Sequence, residues 1–227
     1  MNTAIIVAAG SGTRFGSTVP KQFLEILGTP LVVHTVKQFE FCSTVDEIIL
    51  VLPAEEIENF HSIIEKYNLK KIVKVIPGGK TRAESVLNGF AAIDSKAAEI
   101  VAVHDGARPL VSPEEITRTI ERARHSGAAC LVAAVTDTIK KVSGGKIIGT
   151  INRTKLRRAL TPQAFRYEIL KLAFENADLS EAATDECFLV EKIGYEISAV
   201  EGSARNIKVT NQEDLQIVEK FLKQSAS

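Results

Sequence analysis

A chain of 227 residues, 45% hydrophobic and 25% charged, can bury a full core and lies far from the low-hydrophobicity regime of disordered segments. Lysine plus arginine equals aspartate plus glutamate at 28 each, so no net field draws the molecule to nucleic acid or a membrane surface, and any anion site must be local. Three widely spaced cysteines, Cys42, Cys130 and Cys187, suit neither a disulfide framework nor a close-spaced zinc site, so they are expected as buried thiols; with no basic leader or membrane-length apolar run, the expected location is the cytoplasm.

Residues 4–8 are an apolar run rich in β-branched side chains that stops at a glycine-rich segment, which reads as a buried strand entering a loop. Similar runs recur at 48–52, 72–76, 100–103 and 130–135, and stretches with helical spacing lie between them at 31–41, 57–67, 83–93 and 113–125. This alternation indicates βαβ units and an α/β sandwich with a mainly parallel sheet covered on both faces. The rhythm breaks after Val135. Two short strand-like runs, 138–142 and 147–151, joined by Ser143-Gly144-Gly145-Lys146, read as a protruding β-hairpin. An apolar segment at 158–165 follows, then helices over 167–177 and from near 184, a strand at 196–200, and a last helix from about 212 to 223. No repeat or linker divides the chain, so one domain over 1–227 is expected, with a β-arm at about 136–152.

Four clusters invite a chemical reading. Ala8-Ala9-Gly10-Ser11-Gly12-Thr13-Arg14, followed by Pro20-Lys21, lets backbone approach a ligand closely, and successive N–H groups there can cradle an anion. It matches neither the Walker pattern nor the G-x-G-x-x-G fingerprint, so a plain strand-to-loop turn stands beside the functional reading. His104-Asp105-Gly106-Ala107-Arg108-Pro109 falls where a buried strand ends, the place where open α/β sheets bind ligands. Asp105 there can hold Mg²⁺, which takes much of its shell from water and phosphate oxygens, or it can simply pair with Arg108 in a turn. A carboxylate used for metal matters to turnover more than to folding. His104 reads as a satisfied structural histidine.

Gly78-Gly79-Lys80-Thr81-Arg82-Ala83-Glu84-Ser85 places a glycine pair between strand and helix, with Thr81 and Glu84 spaced as a capping box; Gly78 and Gly79 can also lie against a flat base whose edge Ser85 reaches. Around Arg205-Asn206-Ile207-Lys208-Val209-Thr210, Thr210 and Glu213 have the same capping spacing, leaving Arg205 and Lys208 open to a functional role.

Taken in order, Ala8-Ala9-Gly10…Gly12…Arg14, Pro20-Lys21-Gln22-Phe23, His104-Asp105-Gly106-Ala107-Arg108-Pro109, Thr161-Pro162-Gln163, Thr184-Asp185-Glu186 and Asn206-Ile207-Lys208-Val209-Thr210 resemble one family over nearly the whole chain. It is the 2-C-methyl-D-erythritol 4-phosphate cytidylyltransferase family of non-mevalonate isoprenoid synthesis. The resemblance implies a Rossmann-like nucleotidyltransferase fold, a homodimer formed through the β-arm, CTP and a polyol phosphate as substrates, and Mg²⁺ as cofactor. It implies that Arg14 and Lys21 neutralise the CTP phosphates and that Asp105 binds the metal and nucleotide. Ala8, Ala9, Gly10, Gly12, Gly78, Gly79 and Ser85 are implied for the nucleotide, and Arg108, Thr138, Arg153, Thr184 and Lys208 for the polyol phosphate. Two positions depart from the family pattern. Lys80 stands where many members carry an acidic residue, and Val7 where proline is common.

A phosphate monoester dianion can meet a triphosphate only where cations offset the repulsion, and it arrives already ionised, so no side-chain nucleophile or base is required. This accounts for a cation-rich set without a Ser-His-Asp or Cys-His arrangement. Two rival readings are a cytidylyltransferase for D-ribitol 5-phosphate, and a nucleotide-binding module that keeps the fold without the reaction.

Overall fold

The computed structural model describes residues 1–10, 20–177 and 185–225. The chain runs through β1 (Asn2–Val7), a small hairpin of β2 (Glu25–Ile26) and β3 (Thr29–Pro30), α1 (Leu31–Glu40), β4 (Glu47–Leu52), α2 (Ile57–Tyr67), β5 (Ile72–Pro77) and α3 (Arg82–Ala91). After β6 (Ile100–Asp105), α4 (Pro113–Ser126) and β7 (Ala128–Ala134) comes an arm of β8 (Ile139–Ser143) and β9 (Lys146–Ile151). The remainder is β10 (Arg157–Arg166), α5 (Tyr167–Glu175), α6 (Glu186–Lys192), β11 (Ser198–Glu201) and α7 (Gln212–Ser225).

Seven strands form one sheet in the order β11-β7-β10-β6-β1-β4-β5. Neighbours are parallel except at β10, which runs antiparallel to both β6 and β7. Alternate side chains of β1 feed two cores. Ala4 and Ile6 pack with Val32, Phe39 and Ile120 of α1 and α4, while Ile5 packs with Val86, Phe90 and Leu170 of α3 and α5. Burial on both faces is why β1, β4 and β6 read as unbroken apolar runs instead of alternating ones.

The 158–165 segment, whose direction the sequence left open, is thus the one reversed strand of the sheet. Pro162 lacks an N–H for the ladder, and the register to β7 shifts between Ala159 and Gln163 where it sits. The arm turns through Gly144 and Gly145, both at positive φ (54° and 74°), as a two-residue hairpin requires. Among the described residues its two strands pair only with each other, and Val142, Ile147 and Ile148 stand more than half exposed.

The helix starts differ in detail from the capping spacing. Ser112 and Glu115 form a full capping box on α4. At α3 Thr81 caps the Glu84 amide, but the Glu84 carboxylate turns to the Lys80 N–H at 2.7 Å. At α7 Asn211 is the side-chain cap, accepting from the Asp214 N–H at 2.9 Å, and Asp214 in turn accepts from the N–H groups of Thr210 and Asn211. Asp214 therefore does what was expected of Glu213, because the helix begins one residue later than Thr210 implied.

The strand order reverses at β1. The chain steps from β1 to β4 to β5, then crosses to β6 on the opposite side, opening a crevice beyond the carboxyl ends of β1 and β6.

Candidate active site

A cleft of about 480 Å³ occupies that crevice. Ala8, Ala9 and Gly10 line it from the end of β1, Asp105 from the end of β6, and Gly79 and Ser85 from the start of α3. Lys21 and Lys208 line it from two connecting segments. Arg14, Gly12 and Thr184 lie outside the described residues.

Small residues allow the wall to close. A Cβ on Gly78 would fall 2.2 Å from the Ala9 Cβ, and one on Gly106 would fall 2.7 Å from the Ala8 Cβ, so the three backbone segments meet at distances only glycine permits. Gly78 itself underlies this contact and is not among the lining residues, whereas Gly79 is. Ser85 accepts from the Gly79 N–H at 3.0 Å and donates to the Thr81 carbonyl at 2.8 Å. Its proton is thus committed, and toward a ligand Ser85 can accept but not donate.

The connecting segments are tied to the same floor. Gln22, 2% exposed, donates to the Gly10 carbonyl at 3.1 Å, which brings the residues on either side of 11–19 together. The Lys21 ammonium donates to the Val209 carbonyl at 2.8 Å, and the Val209 N–H donates to the Ala107 carbonyl at 2.8 Å. Lys21 and Lys208 are thereby brought to one cleft although 187 positions separate them.

Asp105 is the centre of charge. Its Oδ1 accepts from Arg82 Nε at 3.0 Å, and its Oδ2 faces Arg108 Nε at 3.2 Å and Lys208 Nζ at 3.0 Å. Burial alone would raise its pKa, but the Arg82, Lys208 and Arg108 charges outweigh that and hold the carboxyl well below the usual carboxylate range. Arg82 forks its remaining nitrogens onto both oxygens of Glu186 at 2.6 and 3.0 Å. Around Asp105 and Glu186 three cations thus face two carboxylates, and Lys21 and Lys80 line the same cleft, so positive charge is in excess where it opens.

His104 is structural, as expected. It is fully buried beside Phe39 with ring centroids 4.8 Å apart, and burial pushes its pKa down to about 3. As the neutral ring it donates from Nε2 to the Arg108 carbonyl at 3.1 Å and accepts at Nδ1 from Thr161, whose hydroxyl accepts from the Asp105 N–H. This chain of bonds fixes the turn that aims Asp105. Arg205 is not among the lining residues, and its guanidinium rests 4.9 Å from the Phe221 ring centroid.

The described structure does not bring every expected residue to the cleft. Arg108 is spent on Asp105 and on the Asn206 carbonyl at 2.9 Å, and it is not among the lining residues. Thr138 and Arg153 are exposed at the arm, where Arg153 donates to the Thr136 carbonyl, and neither lines the cleft of its own chain. Two residues were missed, Arg82 and Glu186. The available signal was Arg82 in the first turn of a helix, where the dipole disfavours a cation unless a carboxylate holds it.

Among the described residues no three His, Cys, Asp or Glu side chains converge as a self-sufficient metal site. Mg²⁺ suits the donor set nonetheless, because it binds through one or two carboxylates plus substrate phosphates and water, and the Asp105 carboxylate opens on the cleft.

The family model described as 2-C-methyl-D-erythritol 4-phosphate cytidylyltransferase matches residues 2–224. The chain belongs to this family. A cytidylyltransferase of that name from Alkaliphilus metalliredigens is 44% identical over 225 residues, covering 98% of this chain and 93% of the relative. A bifunctional IspD/IspF enzyme of Desulfotalea psychrophila is 41% identical, and the chain spans only 57% of its length. Among solved structures, the 4-diphosphocytidyl-2C-methyl-D-erythritol synthase of Anaerococcus prevotii superposes with a TM-score of 0.85 at 31% identity, covering 98% of each chain. The family's Thermus thermophilus cytidylyltransferase gives 0.79 at 30% identity, covering 98% of this chain and all of the other. The mixed, mostly parallel sheet is therefore the family's sheet, and these relatives lend no support to the ribitol phosphate alternative. No helix among the described residues is long and apolar enough to cross a membrane.

Proposed function

We propose that this protein transfers the CMP group of CTP to 2-C-methyl-D-erythritol 4-phosphate, giving 4-diphosphocytidyl-2-C-methyl-D-erythritol and pyrophosphate. The observation that carries the reading is the convergence of Asp105, Lys21 and Lys208 with the Ala8–Gly10 and Gly79 backbone in one cleft of a family member. A phosphate oxygen of the acceptor bonds to the α-phosphorus of CTP while the bond from that phosphorus to the bridging oxygen breaks, and pyrophosphate carries the electron pair away. The acceptor oxygen is already anionic, so no proton has to be removed first.

The side chains position and neutralise. Lys21, with Arg14, faces the triphosphate, where charge grows on the leaving group and a cation stabilises the transition state more than the bound state. Lys208 grips the incoming phosphate once it leaves Asp105 Oδ2. Ala8, Ala9, Gly10, Gly12 and Gly79 supply close backbone to the nucleotide, Gly78 lets that backbone close, and Ser85 accepts an N–H from the base edge. Asp105 would hold Mg²⁺, which when bound would screen the phosphate charge. Thr138 and Arg153 serve the cleft of a second protomer docked through the exposed apolar arm, with Arg108 and Thr184 completing the polyol phosphate site. The working location is the cytoplasm. The test is pyrophosphate release from CTP with Mg²⁺ and each polyol phosphate separately. Release with methylerythritol phosphate but not ribitol 5-phosphate is expected, and the reverse selectivity or none at all defeats the reading.

A further inference from the structure

Glu186 at the start of α6 is only 2% exposed, yet it carries a carboxylate whose two oxygens are both taken by the fork of Arg82. Such a pair, with Glu186 buried and the Arg82 side chain 26% exposed at the cleft, is weak evidence for stability, since apolar residues of like volume often serve the fold as well or better. Its geometry relative to Asp105 supplies a different reason. With Nη1 and Nη2 fixed by Glu186, the one direction left to Nε is toward Asp105 Oδ1. The opposite oxygen, Oδ2, is shared by Arg108 and Lys208, and the Lys208 side chain is 38% exposed where that of Glu186 is 2%. The two oxygens of Asp105 thus differ in kind. Oδ1 has a partner locked in place by a buried fork, and Oδ2 has a partner free to swing toward the cleft.

We infer that Arg82 and Glu186 are a positioning pair, which holds the Asp105 carboxylate in one orientation through Oδ1 so that Oδ2 can exchange Lys208 for ligand without the carboxylate turning away. This rests on the reading above, in which Lys208 passes to the acceptor phosphate and Asp105 Oδ2 to the metal. Lysine at position 82 keeps the charge but offers no planar fork, so it cannot hold both carboxylates in fixed relation.

The experiment compares wild type with Arg82→Lys, Glu186→Gln and the paired Arg82→Met/Glu186→Met variant. Melting temperature, two-substrate kinetics, and the CTP dissociation constant by calorimetry with and without Mg²⁺ and no acceptor are all recorded. Loss of an outer positioning contact is expected to lower kcat on the order of 10–100-fold, with the KM for CTP moving less than about 3-fold. The strengthening of CTP binding by Mg²⁺ is expected to shrink in every variant, a readout that needs no turnover. The paired Met variant separates positioning from folding, because it leaves no buried charge uncompensated and is expected to melt at or near the wild-type temperature while staying slow. A paired variant that turns over normally, or that keeps the full Mg²⁺ effect on CTP binding, overturns the inference, and so does one that fails to fold, which makes the pair a fold determinant. If wild type itself neither binds CTP nor releases pyrophosphate, the functional reading fails instead.

Discussion

Asp105→Asn removes one negative charge from a cluster in which Arg82, Arg108 and Lys208 all converge on it. Breaking a buried ion pair by deleting one partner costs about 3–5 kcal/mol when the other is stranded. Here the stranding is partial. Arg82 keeps both oxygens of Glu186, Arg108 keeps the Asn206 carbonyl, and Lys208 can turn to solvent, so the cost should lie near 2 kcal/mol, below that range. For a chain of this size each kcal/mol moves the melting temperature by about 2–4 °C, so a fall of about 4–8 °C is expected. Pyrophosphate release should fall far more than the folded fraction does. Thermal melts with parallel turnover assays measure both, and Lys208→Gln tests the cause. In the Asp105→Asn background it removes a repelling cation and should restore part of the lost melting temperature, whereas in wild type it should lower it. An unchanged melt in Asp105→Asn, or an equal effect of Lys208→Gln in both backgrounds, refutes the charge-cluster account.

Lys21→Ala should depress kcat by more than tenfold while CTP binding suffers less, checked by single-turnover kinetics beside CTP titration. Arg153→Lys should raise the KM for the polyol phosphate and leave that for CTP nearly unchanged, since lysine cannot copy a two-pronged grip; equal shifts in a two-substrate matrix would sink this division of labour. Lys208→Ala chains mixed with Arg153→Ala chains should regain part of the lost activity after subunit exchange, which tests whether the arm completes a partner's cleft. Gly78→Ala should destabilise by about 1–3 kcal/mol in denaturant titration, because its Cβ meets the Ala9 Cβ at 2.2 Å and backbone must shift.

The doubly buried parallel strands were legible because burial on both faces leaves a continuous apolar run in the sequence, as at residues 48–52. β10 announced its apolar character but not its direction, because reversal is decided by which strands flank it in space. The β2–β3 hairpin gave too short a signal, four paired residues around Leu27 and Gly28, both at positive φ. Within the site, the clusters that follow strand ends stood out as motifs, since glycine and charge at a strand terminus are locally unusual. Arg82 and Glu186 stood within two of the quoted motifs, but their pairing did not show, because 104 positions separate them. A buried pair of that kind exists only once α3 and α6 have packed on the same face of the sheet. The pairing of Asp105 with Arg108 was legible from their spacing, whereas the reach of the distant Lys208 onto the same oxygen was not.

The tight meeting of Gly78 with Ala9 and of Gly106 with Ala8 bears on how this site can respond to selection. An inhibitor lying against that wall would be evaded most simply by a bulkier side chain that crowds it out. At Gly78 and Gly106, which lie beneath the lining residues, the first added methyl group already collides with the opposite strand end, so a change there damages the cleft itself. Gly10 differs, since a Cβ there would meet nothing within 4 Å, so escape has room at Gly10, on the cationic side or at Lys80, and a compound held against Ala8, Ala9 and Gly79 leaves fewer single-residue routes to resistance.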